Sequence, residues 1–130
     1  MLSRDQIIAT VTKIYAARVD GDMQALSQYW TPDATFRIAG DRMGEVMATG
    51  PAHPERPIGE LVEQFRFHRT RIVDAIVEGN RAAVHMEVEV SAKGGRMTTE
   101  CVDLWEFAAD GRFRSLQQFI DTALVRKLAG

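Results

Sequence analysis

Asp103 is the residue in this sequence best placed to do chemistry. It lies in the stretch Met97–Phe107, where polar and apolar residues follow a strand-like alternation. Successive side chains of a strand point to opposite faces. Met97, Thr99, Cys101, Asp103, Trp105 and Phe107 therefore share one face, and Thr98, Glu100, Val102, Leu104 and Glu106 share the other. The first face is the more apolar, yet it carries a carboxyl group. An ionised carboxylate is expensive to bury unless it is paired or hydrogen-bonded. Three arrangements satisfy that constraint. Asp103 bonds a backbone amide or an arginine, or burial holds it protonated as a hydrogen-bond donor, or its face lines a wet cavity. Each points to a pocket beside this strand.

Few other residues compete. The single cysteine, Cys101, excludes an intrachain disulfide and fits a cytoplasmic setting. No basic neighbour is evident to lower its pKa, so it reads as a small buried hydrophobe. The three histidines, His53, His68 and His85, form no zinc-like spacing with it. There is no Ser-His-Asp pattern and no glycine-rich phosphate loop. His85, Glu87 and Glu89 alternate with an apolar row and read as a solvated or partner-facing row. Gln118 is polar on a predicted pocket face and could orient a ligand or a water.

The elements that position these residues follow from the periods. Ser3 and Gln6 have capping-box spacing. Ile7, Val11, Ile14, Tyr15 and Arg18 then recur at helical intervals until Gly21. Asp22 caps a shorter second helix, and Thr31–Asp33 is a turn. Thr35–Ala39 predicts a short strand with Phe36 and Ile38 on one face. Residues 40–58, broken by glycines and prolines, read as a flap over a cavity mouth or a merely decorative loop, with a short strand near Glu45–Ala48. Gly59–His68 predicts a third helix with Leu61, Val62 and Phe65 inward. Strands follow at Arg71–Glu78, Arg81–Ala92, Met97–Phe107 and Arg112–Thr122, separated by Gly79-Asn80, Gly94-Gly95 and Asp110-Gly111 turns. The tail, Ala123–Gly130, reads as a helical turn.

Helices first and hairpin-linked strands last predict an α+β domain with a curved antiparallel sheet wrapped around the N-terminal helices. Val102, Leu104, Phe113 and Phe119 then fall on the outer face and predict a partner surface, most simply a homodimer. At 130 residues, 45% of them hydrophobic and 26% charged, one domain with one core is expected. A net charge of −2 argues against nucleic-acid binding. No apolar run approaches the ~20 residues of a membrane span, and no secretory leader is evident.

Taken together, several motifs resemble one superfamily. They are Tyr15 with the Asp20-Gly21-Asp22 turn, the run Tyr29–Phe36, Val102–Phe107, Asp110-Gly111-Arg112 and Gln118–Asp121. The pattern is similar to the SnoaL-like, nuclear-transport-factor-like cone fold of ketosteroid isomerases, polyketide cyclases, scytalone dehydratase and limonene epoxide hydrolase, and it spans residues 1–130 as a single domain. In ketosteroid isomerases a tyrosine and a protonated aspartic acid form an oxyanion hole. The resemblance implies those roles for Tyr15 and Asp103. The place of the isomerase base falls near Ile38, which takes no proton, and leaves Asp41, His53 or a water as candidates. The places of the epoxide hydrolase residues fall on Val84, Met86 and Gln118, so that chemistry is not indicated. A one-residue slip would offer His85 and Glu87 but would turn the valine row outward.

The resemblance thus implies a pocket for a small hydrophobic molecule, lined by Trp30, Ile38, Phe65, Val84, Met86, Cys101, Gln118 and Ile120. Its chemistry would be cofactor-free proton transfer: isomerisation, dehydration or cyclisation. The alternative is a non-catalytic ligand-binding or association domain of the same fold.

Overall fold

The first helix, α1 (Arg4–Asp20), is fixed at both ends by its own sequence. Ser3 Oγ accepts from the Gln6 backbone N–H at 3.1 Å, and Gln6 Oε1 accepts from the Ser3 N–H at 2.8 Å. This reciprocal box satisfies two donors that a helix start leaves open. Gly21, at φ 70°, ends the helix in the left-handed conformation that favours glycine. The buried stripe is Ile7, Val11, Ile14, Tyr15 and Ala17. The start of α1 is anchored to the sheet, because the Leu2 N–H donates to Asn80 Oδ1 at 3.0 Å and Arg4 Nη1 to the Ala75 carbonyl at 3.2 Å.

The computed structural model describes residues 1–40, 47–48 and 63–130. A short helix α2 (Met23–Ser27), capped by Asp22, leads into β1 (Trp30–Ile38). Next come β2 (Met47–Ala48), β3 (Arg66–Glu78), β4 (Arg81–Ala92), β5 (Gly95–Phe107), β6 (Phe113–Ile120) and a closing helix α3 (Thr122–Ala129). The strands form one curved, unclosed sheet in the order β2-β1-β6-β5-β4-β3. The α+β arrangement expected from the sequence is therefore present.

Four details differ from expectation. The sheet is not wholly antiparallel: β1 runs parallel to β6, with Thr35 opposite Ser115 and Ile38 opposite Gln118. No hairpin joins these two strands, so nothing local dictates their direction. The supposed turn at Thr31–Asp33 lies inside β1, at a break in register between Trp30 and Thr35, where the Thr31 hydroxyl donates to Asp33 Oδ1 at 2.7 Å. The third helix does not reach His68. Only Glu63 and Gln64 are helical within the described part of that span, and β3 begins at Arg66. Phe65 and Phe67 are both buried, a two-residue period rather than a helical one, and Phe67 pairs with Val90. Finally, Phe113 is buried rather than outward. A register break between Glu106 and Phe107 sets Phe107 opposite Phe113 and reverses the expected parity at that end of β6.

The valine row keeps the expected register. Val84, Met86, Val88 and Val90 are all buried, and Val84 stands opposite Asp103. Two further register breaks between β3 and β4 help the sheet to bend. Val102 and Phe119, paired across β5 and β6, are 40% and 48% exposed on the outer face, whereas Leu104 is half-buried.

Helix α3 is longer than the single turn expected. Asp121 caps it, accepting from the Ala123 and Leu124 N–H groups, and Val125 and Leu128 are buried. The helix end meets the β4–β5 hairpin closely, where the Gly94 N–H donates to the Leu128 carbonyl at 2.6 Å. A Cβ at residue 94 would collide with the Lys127 carbonyl oxygen. Gly94→Ala should therefore destabilise the fold by about 2 kcal/mol, the scale of overpacking. Equilibrium urea unfolding checks this, and a loss under about 0.5 kcal/mol would show that α3 yields without consequence.

Candidate functional site

Three elements bring three polar side chains to one buried point. Tyr15 comes from the inward stripe of α1, Asp103 from the inward face of β5 and Gln118 from β6 directly opposite it. Asp103 is only 1% exposed. Its Oδ2 accepts from the Tyr15 hydroxyl at 2.6 Å, and its Oδ1 accepts from Gln118 Nε2 at 3.1 Å. Cys101 Sγ lies 3.8 Å from both Asp103 Oδ1 and Gln118 Nε2. The pleat explains the cluster. Positions 101, 103 and 105 face inward on β5, and the register places Gln118 beside the middle one.

Burial dominates the electrostatics. It pushes the Asp103 carboxyl above its ordinary range, against the hydrogen bonds from Tyr15 and Gln118 and the charge of Arg18. Burial and the neighbouring carboxyl push the Tyr15 phenol well above its usual value, so it stays protonated. The same influences raise the Cys101 thiol, which suits a packed residue and not a nucleophile. A protonated Asp103 can itself be the donor of this bond. With the hydroxyl of the acid donating to the Tyr15 oxygen, the phenolic O–H is free to donate elsewhere.

A hollow of about 50 Å³ opens against this cluster, with Tyr15, Asp103, Gln118, Arg18, Trp30 and Trp105 among its lining residues. A second hollow of about 30 Å³ adjoins it, lined in part by Ile38, Phe65, Val88 and Ile120. Arg18, Phe36, Phe67 and Gln118 border both. Five of the residues expected to line a pocket border one or other of these hollows: Trp30, Ile38, Phe65, Gln118 and Ile120. Three do not border either hollow. Val84 and Met86 are wholly enclosed in the packed core, and Cys101 touches only the polar cluster. Asp41 and His53, the candidate bases, lie outside the described residues, as does all of the 40–58 loop except Gly40 and the short strand Met47–Ala48.

Trp105, read from the sequence as an inward core residue, and Arg18, read only as part of the helical stripe, both border the first hollow. Trp105 follows Asp103 by one inward step, and its ring packs 5.9 Å from that of Phe107, 5.2 Å from Phe113 and 6.0 Å from Tyr15. Its buried indole N–H makes no well-formed hydrogen bond among the described residues, only a weak contact with the Tyr15 oxygen that draws the phenol pKa down slightly. Arg18 sits three residues after Tyr15, on the same side of α1. Its guanidinium carbon lies 3.8 Å from the Phe67 ring centroid, and Nη2 donates to the Phe65 carbonyl at 3.2 Å. The spacing Tyr15-x-x-Arg18 was the available signal. By contrast, His85 bonds Glu100 at 2.8 Å on the outer face, and His68 bonds Ser91 at 2.7 Å, both away from the site.

The sequence matches the SnoaL-like domain model over residues 11–116. The chain belongs to the SnoaL-like family. No curated protein matches it significantly. Solved structures share the SnoaL-like fold at low identity. A proposed isomerase from Bacillus subtilis is 16% identical with a TM-score of 0.80, covering 98% of this chain and 95% of that one. An NTF2-like protein of unknown function from Burkholderia pseudomallei is 21% identical with a TM-score of 0.76, covering 98% of each chain. An epoxide hydrolase of the limonene type from Mycobacterium tuberculosis is 14% identical with a TM-score of 0.74, covering 95% and 90%. At such identities the likeness concerns the fold. No described helix of this SnoaL-like chain is long and apolar enough to cross a membrane.

Proposed function

We propose that this SnoaL-like protein binds a small, largely apolar molecule through a carbonyl or hydroxyl oxygen and assists proton transfer on it. The observation that carries this reading is the buried 2.6 Å bond between Tyr15 and Asp103 beside an apolar hollow. With Asp103 protonated, its O–H supports the Tyr15 oxygen while the Tyr15 O–H turns to the ligand. A carbonyl oxygen gaining negative charge during enolisation would then meet a preorganised donor in a site of low dielectric. Isomerisation, dehydration and cyclisation all pass through such charge. That fold neighbours include a proposed isomerase and an epoxide hydrolase is consistent with a fold that hosts this kind of chemistry.

One observation favours binding without turnover. Ile38 occupies the place where an isomerase base would stand, and it is buried. The base, if there is one, is Asp41, His53 or a bound water. The two hollows are also far smaller than the ~300 Å³ of an ordinary ligand site, so a ligand would join them by displacing Phe36 from the common wall, with Phe67 kept against Arg18.

A thermal-shift screen of cyclic enones, epoxides and hydroxy-ketones tests the reading. A hit is expected to raise the melting temperature of the wild type, with the gain cut by more than half in Tyr15→Phe and in Asp103→Leu. Stabilisation equal in all three proteins would remove the cluster from the binding site. Conversion of a hit, followed by chromatography, separates turnover from binding.

For the outer face we propose a second copy of the chain. Val102 and Phe119 present adjoining exposed apolar surface there, and a self-complementary patch gives a closed dimer. Sedimentation should show twice the chain mass for the wild type and the single-chain mass for Phe119→Asp. A wild type that sediments as one chain would end this proposal.

A further inference from the structure

Arg18 is placed as no purely structural arginine needs to be. It stands where the two hollows meet, half-buried, with Phe36 and Phe67 on the shared wall. A guanidinium has five N–H donors in a rigid planar fork. Only Nη2 has a protein acceptor among the described residues, the Phe65 carbonyl. No carboxylate of the described residues lies within ion-pair distance of Arg18, and Asp103 acts on it only through space. The Phe67 ring holds one face of the guanidinium plane, which leaves its edge to select a partner. A cation taken partly out of water without an anion is costly. Burial pulls the Arg18 pKa down to about 10, which still leaves it charged at neutral pH.

A second donor in the first hollow is only weakly satisfied. The Trp105 indole N–H is buried, and its one nearby acceptor, the Tyr15 oxygen, is not held in full hydrogen-bond geometry. The hollow therefore offers donors in excess and aromatic walls from Trp30, Phe36, Phe67, Trp105 and Phe113. Its missing component is an acceptor that carries negative charge.

We infer that Arg18 is the anion receptor of this pocket, and that the natural ligand is a small aromatic or conjugated organic acid whose carboxylate or comparably acidic oxygen pairs with the guanidinium edge. The inference rests on the proposed use of this pocket for a ligand and narrows its class. It divides the labour between two ends. Arg18 holds the charged group, Phe67 and the other rings hold the planar body, and Tyr15 and Asp103 address a different oxygen. A forked, charge-assisted contact fixes both the ligand's orientation and its depth.

Benzoate and benzamide are a suitable pair of probes, since they differ little in shape and differ in charge. Calorimetric titration of the wild type should show benzoate bound about 10- to 100-fold more tightly than benzamide, the span of one charge-assisted contact. In Arg18→Gln that preference should vanish while benzamide binding stays within about threefold. Arg18→Lys keeps the charge without the fork and should retain only part of the preference. Circular dichroism confirms the fold of each variant, and if Arg18→Gln does not fold, Arg18→Lys decides. Equal binding of the two probes by the wild type, no binding of either, or a preference that survives intact in both variants would overturn the inference. Those outcomes are distinct from failure of the pocket reading itself. That failure would show as neutral enone binding insensitive to Tyr15→Phe and Asp103→Leu.

Discussion

Trp105→Ala should lower the free energy of unfolding by about 3–5 kcal/mol, the range seen for large aromatic truncations in packed cores. Trp105 is 1% exposed and is the largest fully buried side chain of the described residues. It packs against Tyr15, Phe107 and Phe113, so it ties α1 to β5 and β6 at once. Truncation would leave a cavity continuous with the first hollow, and α1 is itself held at its start by Asn80 and Ala75, which limits its collapse inward. Trp105→Phe separates packing from polarity. It keeps a ring but removes an indole N–H that is at best weakly bonded, to the Tyr15 oxygen. Relief of a poorly satisfied donor, about 1–3 kcal/mol, then offsets much of the lost volume. The expected order is a large loss for alanine and a change within about 1.5 kcal/mol for phenylalanine. Urea unfolding with an unchanged m-value measures both. An alanine loss below about 1 kcal/mol would mean that the site does not depend on this ring for its shape.

The cluster around Trp105 also shows what a single sequence makes legible. The inward set on β5 follows from a period of two, and that period is unbroken from Met97 to Trp105. Tyr15 follows from a helical stripe whose ends are marked by Ser3 and Gly21. Gln118 follows from the strand after the next turn. These are local signals, and the geometry of the cluster is their sum. What was not legible is non-local. The parallel pairing of β1 with β6 involves strands separated by most of the chain, and no turn residue announces it. Phe113 faces inward because of a register break at Glu106 and Phe107, and a break of that kind leaves no mark in the alternation.

Arg18 and β3 were hidden for another reason. A charged residue on a helical stripe is ordinarily the edge of that stripe, with its stem packed and its head in water. Here the head turns toward Phe67, and that ring is inward only because β3 starts at Arg66. The stretch Phe65-Arg66-Phe67-His68 is short enough to read as helix or strand, and reading it as helix concealed both Phe67 and the use of Arg18. The two omissions were therefore one error. Correcting the start of a strand reveals a cation on the shared wall of the two hollows.

Asp103→Asn should abolish the pH dependence of stability that this one residue contributes. In the folded protein burial raises the Asp103 carboxyl above the value of about 3.9 expected for an unfolded chain. The folded state therefore binds more protons than the unfolded state between those two values. Stability from this group is fully present below the unfolded pKa and is lost as pH rises to the folded one. The slope reaches at most about 1.4 kcal/mol per pH unit within that window. Above it, the wild type bears the burden of an ionised carboxylate at 1% exposure. Asparagine is a fair copy of the protonated acid. Its oxygen can accept from Gln118, and its amide can donate to the Tyr15 oxygen. The variant should match the wild type near pH 3, to within about 1 kcal/mol, and exceed it increasingly at higher pH. Asp33, Glu89 and Asp110 have carboxyls held below their ordinary values by nearby donors, so each adds stability as pH rises. All three are on the surface and common to both proteins, so the difference between the two profiles cancels them. Urea midpoints across the acidic to neutral range provide that difference. A difference that stays flat, or that favours the wild type as pH rises, would show Asp103 to be ionised and paired in the fold. The donor pair it forms with Tyr15 would then be lost as well, because a carboxylate can only accept the Tyr15 proton and cannot release it toward a ligand.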